Sequence, residues 1–408
     1  MSLWRIERLN QRGDGVAVSA SGERALAALT LPGEEIEGEA TAGRIAQPRI
    51  LTPSPDRIRP PCPHFRICGG CSLMHASDDF MRGWKAAQVG QSLRAQGLEV
   101  PVAGVHVSPP RSRRRAVLSG RRTKKGALIG FHARASDVIV DLSDCHVLRP
   151  AITAALPLLR RIVSAGGSRQ GEVGLTVTET LAGLDVAAKG GKPMDGALLQ
   201  TLARLADEGD LARLDWDGQA VTRRAPALPM GRARVVPPPG GFLQATREGE
   251  AALLTVTRDI VGNAPRVLDL FAGCGTFTLP LAERAEVHAV EGLAAPLAAL
   301  DSAWRGANGL RRVTTEVRDL ARNPLLPDEL NPYDAIVIDP PRAGAEAQAQ
   351  QIARSRVGTL AWISCESVGF ARDARILAQE GFAISRLYVV DQFRWSPHVE
   401  IVAEFRRR

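Results

Sequence analysis

The chain has 408 residues, a formal net charge of +8 and 45% hydrophobic residues. This apolar content supports large cores, and the length predicts two or three domains. The positive charge favours an anionic partner, above all nucleic acid, although a soluble basic enzyme could have the same composition. No apolar run resembles a signal peptide or approaches membrane-spanning length, so we expect a soluble, cytoplasmic protein with no membrane partner.

The first 50 residues contain short segments with alternating polarity, such as "WRIERLN" and "GVAVSA", separated by glycines. Several short strands with glycine turns are typical of a small β-barrel. The proline-rich stretch "QPRILTPSPDRIRPPCPHF" follows and predicts a linker. We therefore expect a first domain at residues 1–55.

Three cysteines follow with C-x5-C-x2-C spacing in "CPHFRICGGC", and a fourth lies far downstream in "LSDCHVL". They are Cys62, Cys68, Cys71 and Cys145. In a reducing compartment such cysteines are better interpreted as ligands or reactive groups than as disulfides. Four thiolates suit either zinc or a [4Fe–4S] cluster, and the nearby His64, His75 and His146 keep zinc open.

Between residues 78 and 240, helical and strand patterns alternate without a clear repeat. "FMRGWKAAQVGQSLRAQG" predicts a helix, and "RRAVLSGRR" with "GALIGFHA" predicts a hairpin. The run 111–125 holds eight basic residues and no acidic one. Such a run is usually a solvated face, but on a hairpin beside the cysteines it would form a phosphate-binding rim. Aromatic residues are only 4% of the chain, which argues against an extended base-stacking platform.

From about residue 262 onwards, strand patterns alternate with helical patterns. The five strand candidates are "RVLDLFAG", "EVHAVEG", "RVTTEVRD", "YDAIVIDPP" and "GTLAWISC". This alternation predicts a parallel sheet covered by helices. Two more strand candidates, "AISRLYVVDQF" and "PHVEIVAEFRR", have no helix between them, so we expect them to pair antiparallel at one edge.

The first of these strands leads into a glycine loop, "VLDLFAGCGTF", with Gly273 and Gly275. Glycines at this place let the backbone pass close to a ligand. Thr278 stands where a dinucleotide fingerprint needs its third glycine, and Asp269 would repel a pyrophosphate. A cationic ligand such as S-adenosylmethionine suits this loop better, although an isolated glycine pair is often an ordinary turn.

Four successive strand candidates each close on an acidic residue. These residues are Asp269, Glu291, Asp319 and Asp339. Because carboxyl ends of parallel strands share one edge of the sheet, the series favours a ligand site over an ordinary turn. Glu291 is placed for the ribose hydroxyls of the ligand, and Asp319 for its adenine.

A lone cysteine, Cys365, ends the strand candidate "GTLAWISC" where a helix begins. An isolated cysteine is usually a small buried apolar side chain. The carboxyl end of a parallel strand, however, faces the crevice in which such sheets bind ligands. The position therefore favours a reactive thiol.

Four segments in this order resemble the RNA uracil-C5 methyltransferase family, which modifies 23S rRNA and tRNA: "DLFAGCGTFTLPLA", "IDPPRAG", "ISCESVGFARD" and "HVE". "GGFLQATREGE" is similar to the family's Phe-x-Gln segment. The resemblance implies a class I, Rossmann-like, S-adenosylmethionine-dependent α/β methyltransferase domain at 241–408. The cysteine array resembles that of the iron–sulfur 23S rRNA members and the barrel their TRAM module, with a central α+β, RNA-binding domain at 56–240.

The resemblance also implies roles for individual residues. Cys365 would add to C6 of uracil, Glu400 would remove the C5 proton, and Asp339 would orient the base or cofactor. On periodicity alone, Glu400 would be a surface charge on an edge strand. The implied cofactor-binding set is Gln244, Asp269, Phe271, Gly273, Gly275, Thr276, Glu291, Asp319 and Asp339. The implied [4Fe–4S] ligands are Cys62, Cys68, Cys71 and Cys145, with a structural or RNA-orienting role.

These inferences predict a monomeric enzyme that methylates uracil C5 in RNA, with 23S rRNA as the expected target and tRNA as the alternative. The target uridine would have to leave its stack to reach Cys365. A methyltransferase acting on another acceptor is a more remote alternative, in which Cys365 would be dispensable. A noncatalytic RNA-binding metalloprotein is the remaining one.

Two positions depart from the family pattern. Glu366-Ser367 follow the cysteine where the family usually has Asn-Pro, and Thr246 stands where it usually has asparagine. A carboxylate facing the same pocket as Cys365 would oppose thiolate formation. Glu366 is therefore expected either to point away from the thiol or to contact the substrate.

Overall fold

A computed structural model describes residues 2–408 of the chain. The N-terminal unit is a sheet of seven short strands in the order β5-β6-β3-β2-β1-β4-β7. Its strands are β1 (Ser2–Leu9), β2 (Gly15–Ser19), β3 (Arg24–Ala27), β4 (Glu35–Gly38), β5 (Ala40–Thr41), β6 (Arg44–Ile45) and β7 (Arg49–Thr52). The alternation predicted from the sequence buries Trp4, Ile6 and Ile36 in one small core. Closure of this sheet into a TRAM-like barrel stays a prediction.

The middle of the chain is a second seven-stranded sheet, in the order β11-β10-β9-β12-β13-β14-β15, covered by helices. The elements of this part of the chain are α1 (Asp78–Ala95), β8 (Gly104–Val107), β9 (Arg115–Arg122), β10 (Ala127–His132), β11 (Ile139–Asp141), α2 (Pro150–Ala154), α3 (Leu156–Gly166), β12 (Val173–Thr180), β13 (Gly183–Lys189), α4 (Gly196–Glu208), β14 (Arg213–Trp216) and β15 (Gln219–Thr222). The antiparallel pairing of β9 with β10 confirms the predicted hairpin.

The remaining elements build the C-terminal unit and a small hairpin beside it. They are β16 (Leu228–Met230), β17 (Ala233–Val235), α5 (Arg247–Val261), β18 (Arg266–Leu270), α6 (Thr278–Leu281), β19 (Glu286–Glu291), α7 (Ala294–Arg305), β20 (Val313–Val317), α8 (Pro327–Leu330), β21 (Ala335–Ile338), α9 (Glu346–Arg354), β22 (Thr359–Ser364), α10 (Ser367–Gln379), β23 (Phe382–Asp391) and β24 (Glu400–Arg407). The apolar run of β21 is buried throughout, as expected of a parallel strand covered on both faces.

An eight-stranded sheet in the order β20-β19-β18-β21-β22-β24-β23-β8 forms the centre of this unit. The five predicted strands, β18 to β22, pair with one another in parallel. Strand β24 pairs antiparallel with both β22 and β23, which confirms the predicted antiparallel pairing. The predicted edge position is wrong, because β8 pairs with β23 and forms the edge instead. Helices α5 and α7 cover one face, and α1, α9 and α10 cover the other.

One segment of this unit comes from far upstream in the chain. Strand β8 is the edge of the large sheet and lies parallel to β23. Helix α1 packs on α10, where the Ser92 hydroxyl donates to that of Ser367 at 2.9 Å. Residues 78–107, which the sequence grouped with the central domain, therefore complete the C-terminal sheet. The domain limits at 55 and 240 stay predictions. Within residues 2–408, no helix is both long and apolar enough to cross a bilayer.

Candidate active site

The carboxyl ends of the parallel strands bring the predicted residues to one edge of the sheet. Asp269 lies near the end of β18, Asp339 directly after β21 and Cys365 directly after β22. Strand β24 runs antiparallel, so its first residue reaches the same edge. Ser364 pairs with Ile401, which makes Cys365 and Glu400 neighbours across the two strands.

Cys365 is half-buried beside two carboxyl groups. Burial, together with the charges of Glu400 and Asp339, raises the pKa of its thiol to about 11. The guanidinium of Arg342 acts in the opposite direction. The thiol is therefore protonated at neutral pH, where the carboxyl groups of Asp339 and Glu400, with pKa values of about 7 and 8, are each partly protonated.

Glu400 is almost completely enclosed, with 3% of its surface exposed. Its Oε2 accepts a hydrogen bond of 3.1 Å from Nε2 of Gln392. Burial and the charge of Asp339 raise the pKa of Glu400 to about 8. A carboxyl with a pKa near neutrality can both accept and release a proton under physiological conditions.

Gln244, a predicted cofactor-binding residue, lies next to Asp339 and close to Cys365 and Glu400. Its side chain is buried, and Nε2 donates to Oδ2 of Asp339 at 3.0 Å. Burial raises the pKa of Asp339 to about 7, and the bond from Gln244 opposes that rise. Gln244, Asp339, Glu400 and Cys365 thus form one connected group at the sheet edge.

The glycine loop adopts a backbone that favours glycine. Gly273 and Gly275 have φ angles of 56° and 93°, and Phe271 between strand and loop has a φ of 61°. A Cβ atom on Gly275 would lie 2.9 Å from Leu300. The loop thus needs glycine at position 275 both for its conformation and for its packing against α7.

The acidic series lines this loop. Asp269 is fully buried, accepts a 2.5 Å bond from the Thr278 hydroxyl, and leaves Oδ1 without a partner among the described residues. Burial raises the pKa of Asp269 to about 7. Glu291 accepts from the backbone N–H of Gly273 at 3.1 Å. Asp319 lies exposed in the turn after β20, and Thr276 is half-buried in the loop.

The four predicted cysteine ligands line one cavity of about 310 Å³. Burial raises the pKa of the thiols of Cys68, Cys71 and Cys145, and neighbouring thiols add to this rise. The cavity wall also includes Arg113 and His398, the latter from the loop that leads into Glu400. The thiol cavity therefore adjoins the segment that carries Glu400.

Comparison with known proteins identifies the family. A family model for tRNA (uracil-5-)-methyltransferases matches residues 238–407. An RNA methyltransferase of Caulobacter vibrioides is 42% identical, over 98% of this chain and 99% of its own. A 23S rRNA (uracil(1939)-C(5))-methyltransferase of Chromohalobacter salexigens is 34% identical, over 97% of this chain and 87% of its own. The chain belongs to the RNA uracil-C5 methyltransferase family.

A solved structure of the family shares the fold over nearly the whole chain. It is the Pyrococcus abyssi tRNA (uracil-54, C5)-methyltransferase in complex with S-adenosyl-L-homocysteine, with a TM-score of 0.77. The match covers 98% of this chain and 99% of that chain at 22% identity. The class I methyltransferase fold expected for the C-terminal unit is thereby confirmed.

Glu366 and Thr246, which depart from the family pattern, both cap the N-termini of helices. The Glu366 carboxylate accepts from the backbone N–H groups of Val368 and Gly369, at 3.0 and 2.6 Å, at the start of α10. Thr246 accepts from Gly249 N–H at 2.9 Å at the start of α5. The Glu366 carboxylate therefore binds the start of its own helix and points away from the thiol of Cys365, which is one of the two arrangements expected from the sequence.

The basic run 111–125 differs from the expected phosphate-binding rim. Five of its eight basic residues contact other parts of the chain. Arg111 pairs with Asp144, Arg114 with Glu250 and Arg121 with Glu172, Arg115 donates to the carbonyls of Gly240 and Gly241, and Arg113 stacks on Phe393. The free basic side chains are thus concentrated at the hairpin turn, at Arg122, Lys124 and Lys125. A charge count along the sequence cannot distinguish internal ion pairs from a free surface.

Sequence reasoning missed Gln392, which follows β23. Its amide contacts both Gln244 and Glu400, at 2.6 and 3.1 Å. The only signal was a polar residue at the end of an apolar strand, which by itself is common. Contact between residues 244, 392 and 400 depends on sheet topology.

Proposed function

We propose that the protein transfers a methyl group from S-adenosylmethionine to C5 of a uridine in RNA, through a covalent adduct with Cys365. The observation that carries this proposal is the pairing of β22 with β24, which sets the thiol of Cys365 beside the buried carboxyl of Glu400. A nucleophile and a base at one crevice suit a reaction that needs addition to C6 and proton removal from C5.

The order of steps follows from the chemistry of uracil. Cys365 gives up its proton to the carboxylate of Asp339, and the thiolate adds to C6, so that C5 becomes nucleophilic. S-adenosylmethionine supplies the electrophilic methyl group that C5 attacks. Glu400 then takes the proton from C5, and the electron pair of that C–H bond forms the C5–C6 double bond and expels the Cys365 thiolate.

The raised pKa of Cys365 fits this order. Its proton is held mainly because burial and two adjacent negative charges oppose the thiolate. Transfer of that proton to Asp339 removes one of those charges and so stabilises the thiolate, and it leaves the Glu400 carboxylate able to accept the C5 proton. Addition to uracil then removes the remaining negative charge from sulfur.

The donor would lie along the carboxyl edge of β18, β19 and β20. The unpartnered oxygen of buried Asp269 and the carboxylate of Glu291 suit the positive and hydroxyl groups of S-adenosylmethionine. Gln244, Phe271, Gly273, Gly275 and Thr276 would surround it, and Asp319 would face its adenine. The tight backbone at Gly275 lets such a ligand approach the loop closely.

We propose 23S rRNA as the methyl acceptor. The Chromohalobacter relative named for that activity aligns with 97% of this chain at 34% identity, whereas the Pyrococcus tRNA enzyme is 22% identical. Phe242, beside the buried Gln244, is 69% exposed and can stack on a base. Lys124 and Lys125 at the hairpin turn are free for phosphate contacts. Such an enzyme would act in the cytoplasm as a monomer.

The four-cysteine cavity would hold a [4Fe–4S] cluster. A single zinc ion needs sulfur ligands at about 2.3 Å from the metal. Within residues 2–408, no three His, Cys, Asp or Glu side chains are grouped as a metal-binding set, so the proposal rests on the lining of the cavity and on the resemblance of the cysteine array. Four thiols around a cavity of about 310 Å³ suit a larger inorganic group. Anaerobically purified protein should contain iron and sulfide, Cys71→Ser should lose both, and Cys274→Ser, outside the cavity, should keep them.

Trapping with 5-fluorouridine tests the proposed chemistry. Fluorine cannot leave C5 as a proton, so the methylated adduct should remain attached to Cys365 after denaturation. We expect a stable protein–RNA adduct with wild-type protein and S-adenosylmethionine, and none with Cys365→Ala. The absence of an adduct on any cellular RNA would overturn the mechanism. Loss of a methyluridine from tRNA rather than 23S rRNA in a deletion strain would reassign the target.

A further inference from the structure

Gln392 lies between Gln244, which is proposed to bind the methyl donor, and Glu400, the proposed base. Its side chain is 2% exposed. Nε2 donates to Oε1 of Gln244 at 2.6 Å and to Oε2 of Glu400 at 3.1 Å. On the other side of the amide, Oε1 accepts from the backbone N–H of Ala245 at 2.8 Å. All the polar atoms of this side chain are thus used by groups of the site.

These partners allow only one orientation of the amide. The backbone N–H of Ala245 can only donate, so the atom facing it has to be the oxygen. The two hydrogens of Nε2 must then point at Gln244 and Glu400. Because Gln244 receives a bond on Oε1, its own Nε2 faces Asp339, to which it donates at 3.0 Å. One backbone contact therefore fixes the direction of the whole hydrogen-bond chain.

The first turn of α5 is shaped around this side chain. A Cβ atom on Gly249 would lie 2.7 Å from Cβ and 3.1 Å from Oε1 of Gln392. Position 249 can therefore carry no side chain without displacing the glutamine. This close fit is independent of the hydrogen bonds and limits Gln392 to the same place.

Glu400 faces charged or titratable groups from each neighbouring element. Asp339 comes from the end of β21, Cys365 from the end of β22 and Arg342 from the loop before α9. Asp339 and burial favour the protonated form of Glu400, whereas Arg342 and the Gln392 amide favour the ionised form. Among the described residues, Gln392 is the hydrogen-bond donor to this carboxyl.

We propose that Gln392 is a positioning residue for methyl transfer: its amide aims the Glu400 carboxylate and fixes the orientation in which Gln244 faces Asp339. This inference rests on the proposed function, because it assigns Gln392 to the step in which Glu400 removes the C5 proton. It adds a second requirement for that step, namely a donor that limits the rise in the pKa of the buried base.

The test compares Gln392→Met with a matched control, Gln348→Met. Gln348 is equally buried and bonds the backbone of Leu325, at 2.9 and 3.1 Å, away from the site. Turnover is measured on total RNA from a deletion strain at several pH values. For Gln392→Met we expect kcat to fall about 10- to 100-fold at neutral pH. The rising limb of its pH profile should move to higher pH, with KM for S-adenosylmethionine changed much less.

Adduct formation separates this inference from the proposed function. With 5-fluorouridine RNA, Gln392→Met should form the adduct as the wild type does, and with ordinary RNA it should accumulate methylated adduct. If the wild type forms no adduct, the proposed function fails. If the wild type forms it and Gln392→Met has an unshifted pH profile, or one that Gln348→Met shares, the positioning role is overturned.

Gln392→Glu provides a second test if Gln392→Met folds poorly. It preserves the shape and the acceptor for Ala245 N–H, but it adds a third carboxylate beside Glu400 and Asp339. Its alkaline shift should equal or exceed that of Gln392→Met, measured at a temperature at which the variant is folded. A pH profile equal to that of the wild type would contradict the inference.

Discussion

Three buried or half-buried carboxyl groups at the sheet edge have pKa values raised toward neutrality. They reach about 7 for Asp269 and Asp339 and about 8 for Glu400, in each case mainly because of burial. Asp339 also contributes to the rise at both of the others. A cationic ligand would compensate these charges, and a base with a pKa near 8 is suited to remove the C5 proton of a methylated uracil.

Replacing Glu400 with glutamine should stop the reaction after methyl transfer. The amide cannot accept the C5 proton, so the enzyme should remain attached to methylated RNA and kcat should fall by at least about 10²-fold. Denaturing gels of reactions with radiolabelled S-adenosylmethionine would reveal the adduct. Rapid turnover by Glu400→Gln would exclude Glu400 as the base.

The same carboxyl groups should make stability depend on pH in an unusual direction. Burial raises the pKa of Glu400 from 4.5 to about 8, so the folded state binds more protons than the unfolded state between those values. Stability should therefore fall as the pH rises through this window. Melting temperatures from pH 5 to 8.5 should decline less steeply for Glu400→Gln than for the wild type. Equal slopes would contradict the raised pKa.

At the scale of elements, caps and loop contacts hold the catalytic strand ends in place. Helix α10 begins directly after Cys365, and its first N–H groups are bound by Glu366. Further along α10, Asp373 accepts from the backbone N–H of Ala345 at 2.7 Å, in the loop that follows Asp339. One helix therefore supports both the nucleophile and the neighbouring acidic loop.

Glu366→Ala should destabilise α10 without changing the chemistry of the thiol. Loss of the cap leaves two N–H groups without a protein partner, and we expect a cost of about 1 kcal/mol in the free energy of unfolding. Glu366→Asn, a better capping residue, should recover most of it. Urea unfolding measures the difference, with the exposed Glu380→Ala as control. A large change in Cys365 reactivity with an alkylating reagent would contradict a purely structural cap.

At the scale of the whole molecule, distant parts of the chain complete the C-terminal sheet. Lys85 of α1 is fully buried, and its ammonium donates to Asp391 at the end of β23 at 2.5 Å. Residues 306 positions apart thus form one ion pair. The pair fixes the N-terminal half on the sheet just before Gln392.

Lys85→Met should be strongly destabilising because it leaves the buried carboxylate of Asp391 without its partner. We expect a loss of about 3–5 kcal/mol in the free energy of unfolding. Lys85→Met combined with Asp391→Asn removes both charges and should recover much of that loss. Chemical denaturation of the two variants would show the recovery. Equal stability of both variants would mean that the charge pair is not the cause.

The local sequence by itself determined the parallel strands, the glycine loop, the acidic strand ends and the position of Cys365. These features depend on periodicity and residue chemistry over five to fifteen neighbouring positions, which need no knowledge of distant partners. The family resemblance added Glu400, which periodicity alone would have assigned to a surface.

Tertiary structure alone decided which distant residues meet. The insertion of β24 between β22 and β23 brings Glu400 to Cys365, and the bend after β23 brings Gln392 to both Glu400 and Gln244. It also gave five of the six arginines of the basic run a carboxylate, carbonyl or ring elsewhere in the chain as a partner. Such contacts result from strand order and from packing between segments that are separate in the chain, by 8 residues for Gln392 and Glu400 and by 148 for Gln392 and Gln244, and no local pattern encodes them.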